Sequence, residues 1–298
     1  PDFIDIANNK KPLQKTYMKM LWDDENLYIY ARLYEEHIWG DITKRDAVIF
    51  KNNDFEVFLK PSIIHTNYGE LEINALGTVW DLLLNKPYRL GGKANTKWNI
   101  DNLKSDVYIS GTINDSSDKD YYWSTEISIP LNEILEINGP DYKKVKSGDI
   151  WRANFSRVQW EHDISNGKYS RKKENNKLKR EYNWVWSRQG QINMHIPENW
   201  GFIYFNDKNE INTDFDLKID IKTEQYGYAL FEKIKYKELK YLNDITIDER
   251  IQFNSKSLKN NNISAEFIKT KDGFLIKCKN QIDDFIYTIN QEGIIKYE

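Results

Sequence analysis

Apolar side chains recur at every second position through the first two thirds of this chain of 298 residues. That period belongs to a pleated strand with one buried face. Leu27, Ile29, Ala31 and Leu33 alternate with Tyr28, Tyr30, Arg32 and Tyr34. Phe55, Val57 and Leu59 alternate with Asp54, Glu56 and Phe58, and Leu71, Ile73 and Ala75 with Glu70, Glu72 and Asn74. Residues 107–113, 123–130, 151–156 and 200–204 carry the same pattern. Clusters rich in Asp, Asn, Ser and Gly at 23–26, 114–118 and 146–149 read as turns between runs. Seven or more such strands predict a mainly β fold, an antiparallel β-sandwich over residues 1–206. Pro130 ends one strand, and a short helix is expected at 131–137. The chain has no Gly-rich phosphate loop and no strand–helix–strand rhythm, which argues against a nucleotide-binding α/β fold.

After residue 206 the texture changes. Residues 207–213 are polar and read as a linker. Tyr226, Leu230, Ile234, Leu239 and Leu242 fall at helical spacing, so a helix is expected over 223–242. Strand-like runs return at 263–268, 274–278, 285–289 and 294–297, with a tight hairpin turn at Lys271-Asp-Gly-Phe274. Residues 207–298 are thus expected to form a small α+β domain of unassigned role, one helix on a meander. The 43 basic and 46 acidic residues give a net charge of −3, which implies no broad attraction to nucleic acid. The basic stretch 168–180 reads as a solvated loop. A single cysteine, Cys278, excludes an intrachain disulfide and a cysteine-based zinc site. No apolar run is long enough to span a membrane. A chain that begins at Pro1 is compatible with a signal segment removed from a protein that works outside the cytoplasm.

The stretch from Asn183 to Phe202 holds Trp184, Trp186 and Trp200 with a histidine and several amides and charges. Tryptophan is costly to leave in water and needs a partner for its N–H, so such a loop is a core plug or a flat ligand platform. Other segments carry a family likeness. Met20-Leu-Trp-Asp-Asp-Glu-Asn-Leu-Tyr-Ile-Tyr30 resembles the opening strand pair of family 9 carbohydrate-binding modules, and Asn53-Asp-Phe-Glu-Val-Phe58 resembles their D-x-x-E-[IV]-F strand. Leu71-Glu-Ile-Asn74, Trp123-Ser-Thr-Glu-Ile-Ser-Ile-Pro130, Trp151-Arg-Ala-Asn-Phe-Ser156 and Trp200-Gly-Phe-Ile-Tyr-Phe205 follow in the same order. The likeness covers residues 1–206 and is nearest to the divergent bacterial branch of that family, within the wider DOMON-like superfamily. It implies a β-sandwich that binds poly- or oligosaccharide in a slot between two tryptophans. It also implies structural calcium and a secreted, periplasmic or cell-surface setting beside polysaccharide-degrading enzymes. The sequence departs from the pattern at the slot. Ile49-Phe50-Lys51 stands where one slot tryptophan belongs, so Phe50 substitutes at best; Glu72 stands where those members carry arginine; and Ile192-Asn-Met-His195 occupies the region of the second tryptophan.

A pyranose has a flat C–H face for an aromatic plate and a rim of hydroxyls for polar groups. Trp184, Trp186 and Trp80 are the expected plates. The i, i+2 spacing of Trp184 and Trp186 puts both on one side of an extended segment. Glu72, Asn74, Arg157, Gln189, Asn193 and His195 are the expected rim, while Trp22, Trp123 and Trp151 are assigned to the core. Arg157 is also a candidate ion-pair partner of Glu72 or Asp81, and with Arg45 it would favour uronic or sulfated sugars. The calcium ligands stay unassigned between acid-rich turns at Asp23-Asp24 and residues 115–120. An alternative is a glycoside hydrolase or lyase in the same cleft, but no spacing singles out a carboxylate pair among Asp46, Glu72, Asp81 and Glu161. A haem-binding DOMON domain is disfavoured: Met194 and His195 are adjacent, point to opposite sides of a strand and cannot both ligate one iron, which leaves Met18 or Met20 with His195, and a lone loop histidine is more often a hydrogen-bonding group. A structural module that docks a protein partner is the remaining class.

Overall fold

The computed structural model describes residues 2–62, 65–140, 142–207, 220–236, 239, 242, 244–254, 262–282 and 285–297. The chain divides into two compact units. The first comprises Pro1–Ser62, Asn67–Asn85 and Lys93–Asp207; the second comprises Ile63–Thr66, Lys86–Gly92 and Lys208–Glu298.

The first unit holds strands β1 (Ile4–Asp5), β2 (Thr16–Trp22), β3 (Asn26–Tyr34), β4 (Asp54–Lys60), β5 (Tyr68–Asn74), β6 (Val79–Leu84), β7 (Ala94–Asn95), β8 (Lys104–Ser110), β9 (Tyr122–Pro130), β10 (Ile150–Gln159), β11 (His162–Ser165), β12 (Lys168–Arg171), β13 (Lys173–Glu174), β14 (Lys177–Leu178), β15 (Tyr182–Val185) and β16 (Gly201–Tyr204). A large sheet runs β1-β15-β10-β4-β5-β6-β7. The strand β16 also pairs with β10, opposite residues 150–153, while β15 pairs with residues 156–159. A four-stranded sheet runs β2-β3-β9-β8, and every pairing in both sheets is antiparallel. Between them lie Phe55, Val57, Leu71, Ile73 and Phe155 from the large sheet and Leu27, Ile29, Leu33, Trp123 and Ile127 from the other. The unit is an antiparallel β-sandwich. The helix α1 (Leu131–Leu135) follows Pro130, as the sequence predicts.

Alternation survives in the sequence of β4 and β5, yet all seven residues of each are buried. The reason is a second apolar layer on the outer face of the large sheet. Ile6, Phe58, Tyr68, Leu82, Leu84, Val185, Met194 and Trp200 form a separate buried cluster there. Segment 187–200 returns over this face, fixed where Asn154 Nδ2 donates to Ser187 O (2.9 Å) and Asn154 Oδ1 accepts from Ser187 N (2.8 Å). Polar positions that would meet water on an ordinary two-layer sandwich are therefore dry.

A polar latch joins the two sheets at one end of the core. Arg157 of β10 is fully buried and lies 3.7 Å from the Glu35 carboxylate, which directly follows β3. Its guanidinium donates to Gln159 Oε1, Tyr34 O and Lys15 O, while Gln159, Asn53 and Trp123 donate to Glu35. Burial lowers the Arg157 pKa to about 10, and burial raises that of Glu35 against the pull of Arg157.

The basic stretch differs from the expected loop: β11 pairs with β12 and β13 with β14 in two small hairpins of largely exposed residues. The run at 107–113 is shifted, since its strand ends at Ser110 before Gly111. In the second unit, α2 (Ile221–Lys235) starts at Asp220, whose side chain accepts from Lys222 N and Thr223 N. It stops seven residues short of the expected end, although Leu239 still packs on the apolar cluster and Leu242 is buried. The sheet runs β17 (Arg250–Asn254), β18 (Ile263–Thr270), β19 (Gly273–Asn280), β20 (Ile286–Asn290) and β21 (Ile295–Tyr297). Phe231, Ile276, Tyr287 and Ile289 fill its core, with Leu90 from Lys86–Gly92. The polar stretch 208–213 lies outside the described residues.

Replacing Arg157 by Met leaves Glu35 as an unpaired charge in a dry core, which costs about 3–5 kcal/mol, or roughly 10 °C in Tm. Calorimetry of Arg157→Met checks this; an unchanged Tm contradicts the latch.

Candidate functional site

Four carboxylates share the covered outer face of the large sheet. Asp54 and Glu56 project from β4, and Glu70 and Glu72 from β5, at 0, 5, 6 and 2 % exposure. Glu56 stands directly opposite Glu72 on one side and Ser156 on the other, and Glu70 stands opposite Phe58. Like charges placed opposite each other destabilise a sheet, so this arrangement is not explained by folding alone. Carboxylate oxygens of Asp54, Glu56 and Glu72 lie within 4.8 Å of one another. Both oxygens of Asp54, Oε2 of Glu56, Oε2 of Glu70 and the Ser156 hydroxyl close no hydrogen bond of ordinary geometry, although the Val158 N–H approaches Asp54 and the Ser156 hydroxyl approaches Glu56. Burial raises Asp54, Glu70 and Glu72 well above the usual carboxylate range, neighbouring carboxylates push the same way, and burial brings Glu56 to about 7. At the edge of the cluster the backbone N–H of Phe50 donates to Glu72 Oε2 (2.9 Å), and the Phe50 side chain is partly exposed. Trp80 of β6 stands opposite Glu72, is half-buried, and its indole N–H has no partner.

Of the expected site residues, Glu72 and Trp80 are brought together here, with Phe50 beside them. Trp184 is not available as a plate. It is 2 % exposed and on the core side of β15, opposite Arg157, whose guanidinium lies 5.3 Å from its ring, and Tyr182 stacks on it at 5.7 Å. The i, i+2 spacing carries Trp186 to the same inner side, against Phe155 at 5.6 Å. Its ring covers Gly201 so closely that a Cβ there would sit 2.2 Å from it. Arg157 is likewise on the core side and pairs with Glu35, not with Glu72 or Asp81. Asp81 is bidentate with Arg45 (2.8 and 3.0 Å) and accepts from Ile100 N (2.6 Å), so Arg45 does not face the cluster as a free cation.

Asn74 shares the outer face but is consumed by structure. Its amide donates to Ile42 O and Asn52 Oδ1, and its oxygen accepts from Leu76 N and Thr78 N. Asn193 Oδ1 caps the turn at His195 N. Gln189 is 2 % exposed, donates to Ser187 O, and keeps an unpartnered Oε1. His195 belongs to the apolar layer: Nδ1 meets Tyr68 Oη at 2.7 Å, and burial pushes its pKa down to about 4. The acid-rich turns use their own oxygens. Asp23 accepts from Glu25 N and Asn26 N, Asp115 from Ser117, Asp118 from Thr112 Oγ1, and Asp120 from Ile38 N and Thr112 N. Glu161 is held near pKa 2 by Lys179 and Tyr182. Sequence reasoning missed Asp54, Glu56, Glu70 and Ser156. Their signal was the alternation itself, which puts two acids on one face of each of two neighbouring strands.

A second aromatic surface lies on the outward side of the four-stranded sheet. Tyr17, Tyr28 and Tyr108 are exposed there, and the Arg32 guanidinium lies 4.4 Å from the Tyr122 ring centre.

No family model matches the chain. No curated protein matches it either. Among solved structures, the chain is similar to a presumed carbohydrate-binding protein from Bacteroides uniformis, with 13% identity, 68% of this chain and 85% of that chain covered, and a TM-score of 0.48. It is also similar to a family 9 carbohydrate-binding module from Caldicellulosiruptor kristjanssonii, solved with glucose and with cellotriose. Both have 14% identity and a TM-score of 0.42; the glucose complex covers 70% of this chain and 87% of that chain, the cellotriose complex 74% and 88%. Likeness at this level transfers no ligand and no residue role. Among the described residues no helix is long and apolar enough to cross a membrane.

The buried imidazole of His195 contributes stability that is complete above its unfolded pKa of 6.5 and is lost as pH falls toward about 4. Between pH 7 and 4.5 this amounts to about 2 kcal/mol, opposed by the raised carboxylates. Urea unfolding of the protein and of His195→Gln at both pH values isolates it. The variant should lose less stability on acidification; parallel losses contradict a neutral buried imidazole.

Proposed function

We propose that this protein binds carbohydrate at the polar outer face of its large sheet, around Trp80, Phe50 and the carboxylates of β4 and β5. The observation that carries the reading is the set of unsatisfied polar atoms on that face: the Glu56, Glu70, Asp54 and Ser156 oxygens and the Trp80 indole N–H. A buried polar atom without a partner is costly, and such atoms gathered on one face call for a partner that brings many hydroxyls. A sugar supplies donors and acceptors in dense array, and the flat face of an aromatic ring covers its C–H face. The order of sequence motifs points the same way. Support of polysaccharide degradation in a secreted or surface setting is the role that fits such a module.

A second reading is favoured by one feature. A carboxyl group raised to about 7 beside other carboxyls is a proton donor at neutral pH, which glycoside cleavage requires. Product formation that disappears in Glu56→Gln while binding persists would establish it.

A glycan screen by calorimetry tests the binding reading. Trp80→Ala and Glu70→Gln are expected to weaken the best ligand by about tenfold each, the scale of one lost stacking or charge-assisted contact. Tyr28→Ala and Tyr108→Ala, on the other sheet, should leave affinity unchanged. The opposite pattern would move the sugar to the tyrosine face and overturn the proposal.

A further inference from the structure

We propose that Asp54, Glu56 and Glu72 form a site for one divalent, oxygen-preferring cation of the size of calcium, with Ser156 and Glu70 completing its surroundings. Their carboxylate oxygens lie within 4.8 Å of one another. Calcium binds oxygen at about 2.3–2.6 Å, so oxygens on opposite sides of one ion stand about 4.6–5.2 Å apart and adjacent ones nearer. The three side chains come from two paired strands in the middle of the sheet, which holds them at fixed separation. The group contains no histidine or cysteine, a donor set that suits calcium, magnesium or manganese rather than zinc or copper.

Two observations outside the triad point to the same ligand. The Ser156 hydroxyl, on a residue with no exposure, stands across from Glu56 and approaches its carboxylate without closing a hydrogen bond of ordinary geometry. Glu70 Oε2, also buried and without a partner, projects from the same face one position along β5 from Glu72 in the two-residue repeat. Among the described residues none of the four carboxylates is ion-paired, and the charges that shift them are other carboxylates. In dry surroundings such repulsion is strong, and a doubly charged ion removes it. The acid-rich turns at Asp23 and Asp115 differ in kind, because backbone N–H groups already occupy their oxygens.

The cation site draws on four side chains that the sugar reading also uses, Asp54, Glu56, Glu70 and Ser156, so cation binding is measured in the absence of sugar. Protein stripped with chelator is titrated with calcium, magnesium and manganese chlorides by calorimetry, and its thermal unfolding is followed with calcium and with chelator. One ion per chain and a higher Tm with calcium are expected. Asp54→Asn and Glu72→Gln should each weaken binding by at least about tenfold, and Ser156→Ala should weaken it less. In chelator the Tm of both acid variants should match or exceed that of the unaltered protein, since each removes a repelled charge. Asp115→Asn, in an acid-rich turn, should bind as before. Absence of heat and of a Tm shift with all three ions overturns the proposal, as does binding undiminished in both Asp54→Asn and Glu72→Gln. Trp80→Ala should keep the cation while losing sugar, so failure of either reading is visible without the other.

Discussion

The apolar layer on the outer face of the large sheet is the constraint on which the candidate site depends. A two-layer sandwich needs only its inner faces dry. Here Phe58, Tyr68, Leu82, Met194 and Trp200 form a second core outside the sheet, and it dries the neighbouring polar positions. The same strands that bury Phe55 and Val57 inward bury Asp54 and Glu56 outward. A carboxylate at a wet sheet surface is unremarkable; four without a basic partner in a dry one form a strongly biased site. The chemistry of this protein thus follows from where segment 187–200 lies.

The inner face solves its own polar problem differently. Arg157 and Glu35 are as deeply buried as the acid cluster, but they are paired, and Gln159, Asn53, Trp123 and backbone carbonyls use their remaining donors and acceptors. One face therefore holds a satisfied network that ties two sheets together. The other holds oxygens that await a partner. Satisfaction of hydrogen bonds, more than burial or charge, separates a structural group from a candidate binding group here.

Much of the fold was legible. The runs at 27–34, 54–59, 71–75, 123–130 and 151–156 became strands because period two with one apolar face has few other solutions. Strands β6 and β15 were harder to read. In Val79-Trp-Asp-Leu-Leu-Leu84 the core-facing position 81 is an aspartate, which Arg45 and Ile100 satisfy, and the pattern breaks. Trp184 in β15 and Trp186 just after it were correctly placed on one side, but spacing along an extended segment does not say which side. That is decided by pairing, through Trp184 opposite Arg157 and Val185 opposite Ser156. A one-residue change of register would exchange the two faces.

The sequence by itself determined a mainly antiparallel β architecture, the helix after Pro130, and a pair of adjacent strands with acids alternating against apolar residues. Those features depend on local period and turn chemistry, which neighbouring residues carry. Only the tertiary structure decided that Trp184, Trp186 and Arg157 serve the core, that Asn74 and Asn193 serve turns, and that Asp54, Glu56, Glu70 and Glu72 converge. The reason is that burial and convergence are set by long-range strand pairing and by one returning segment, and no local pattern encodes either.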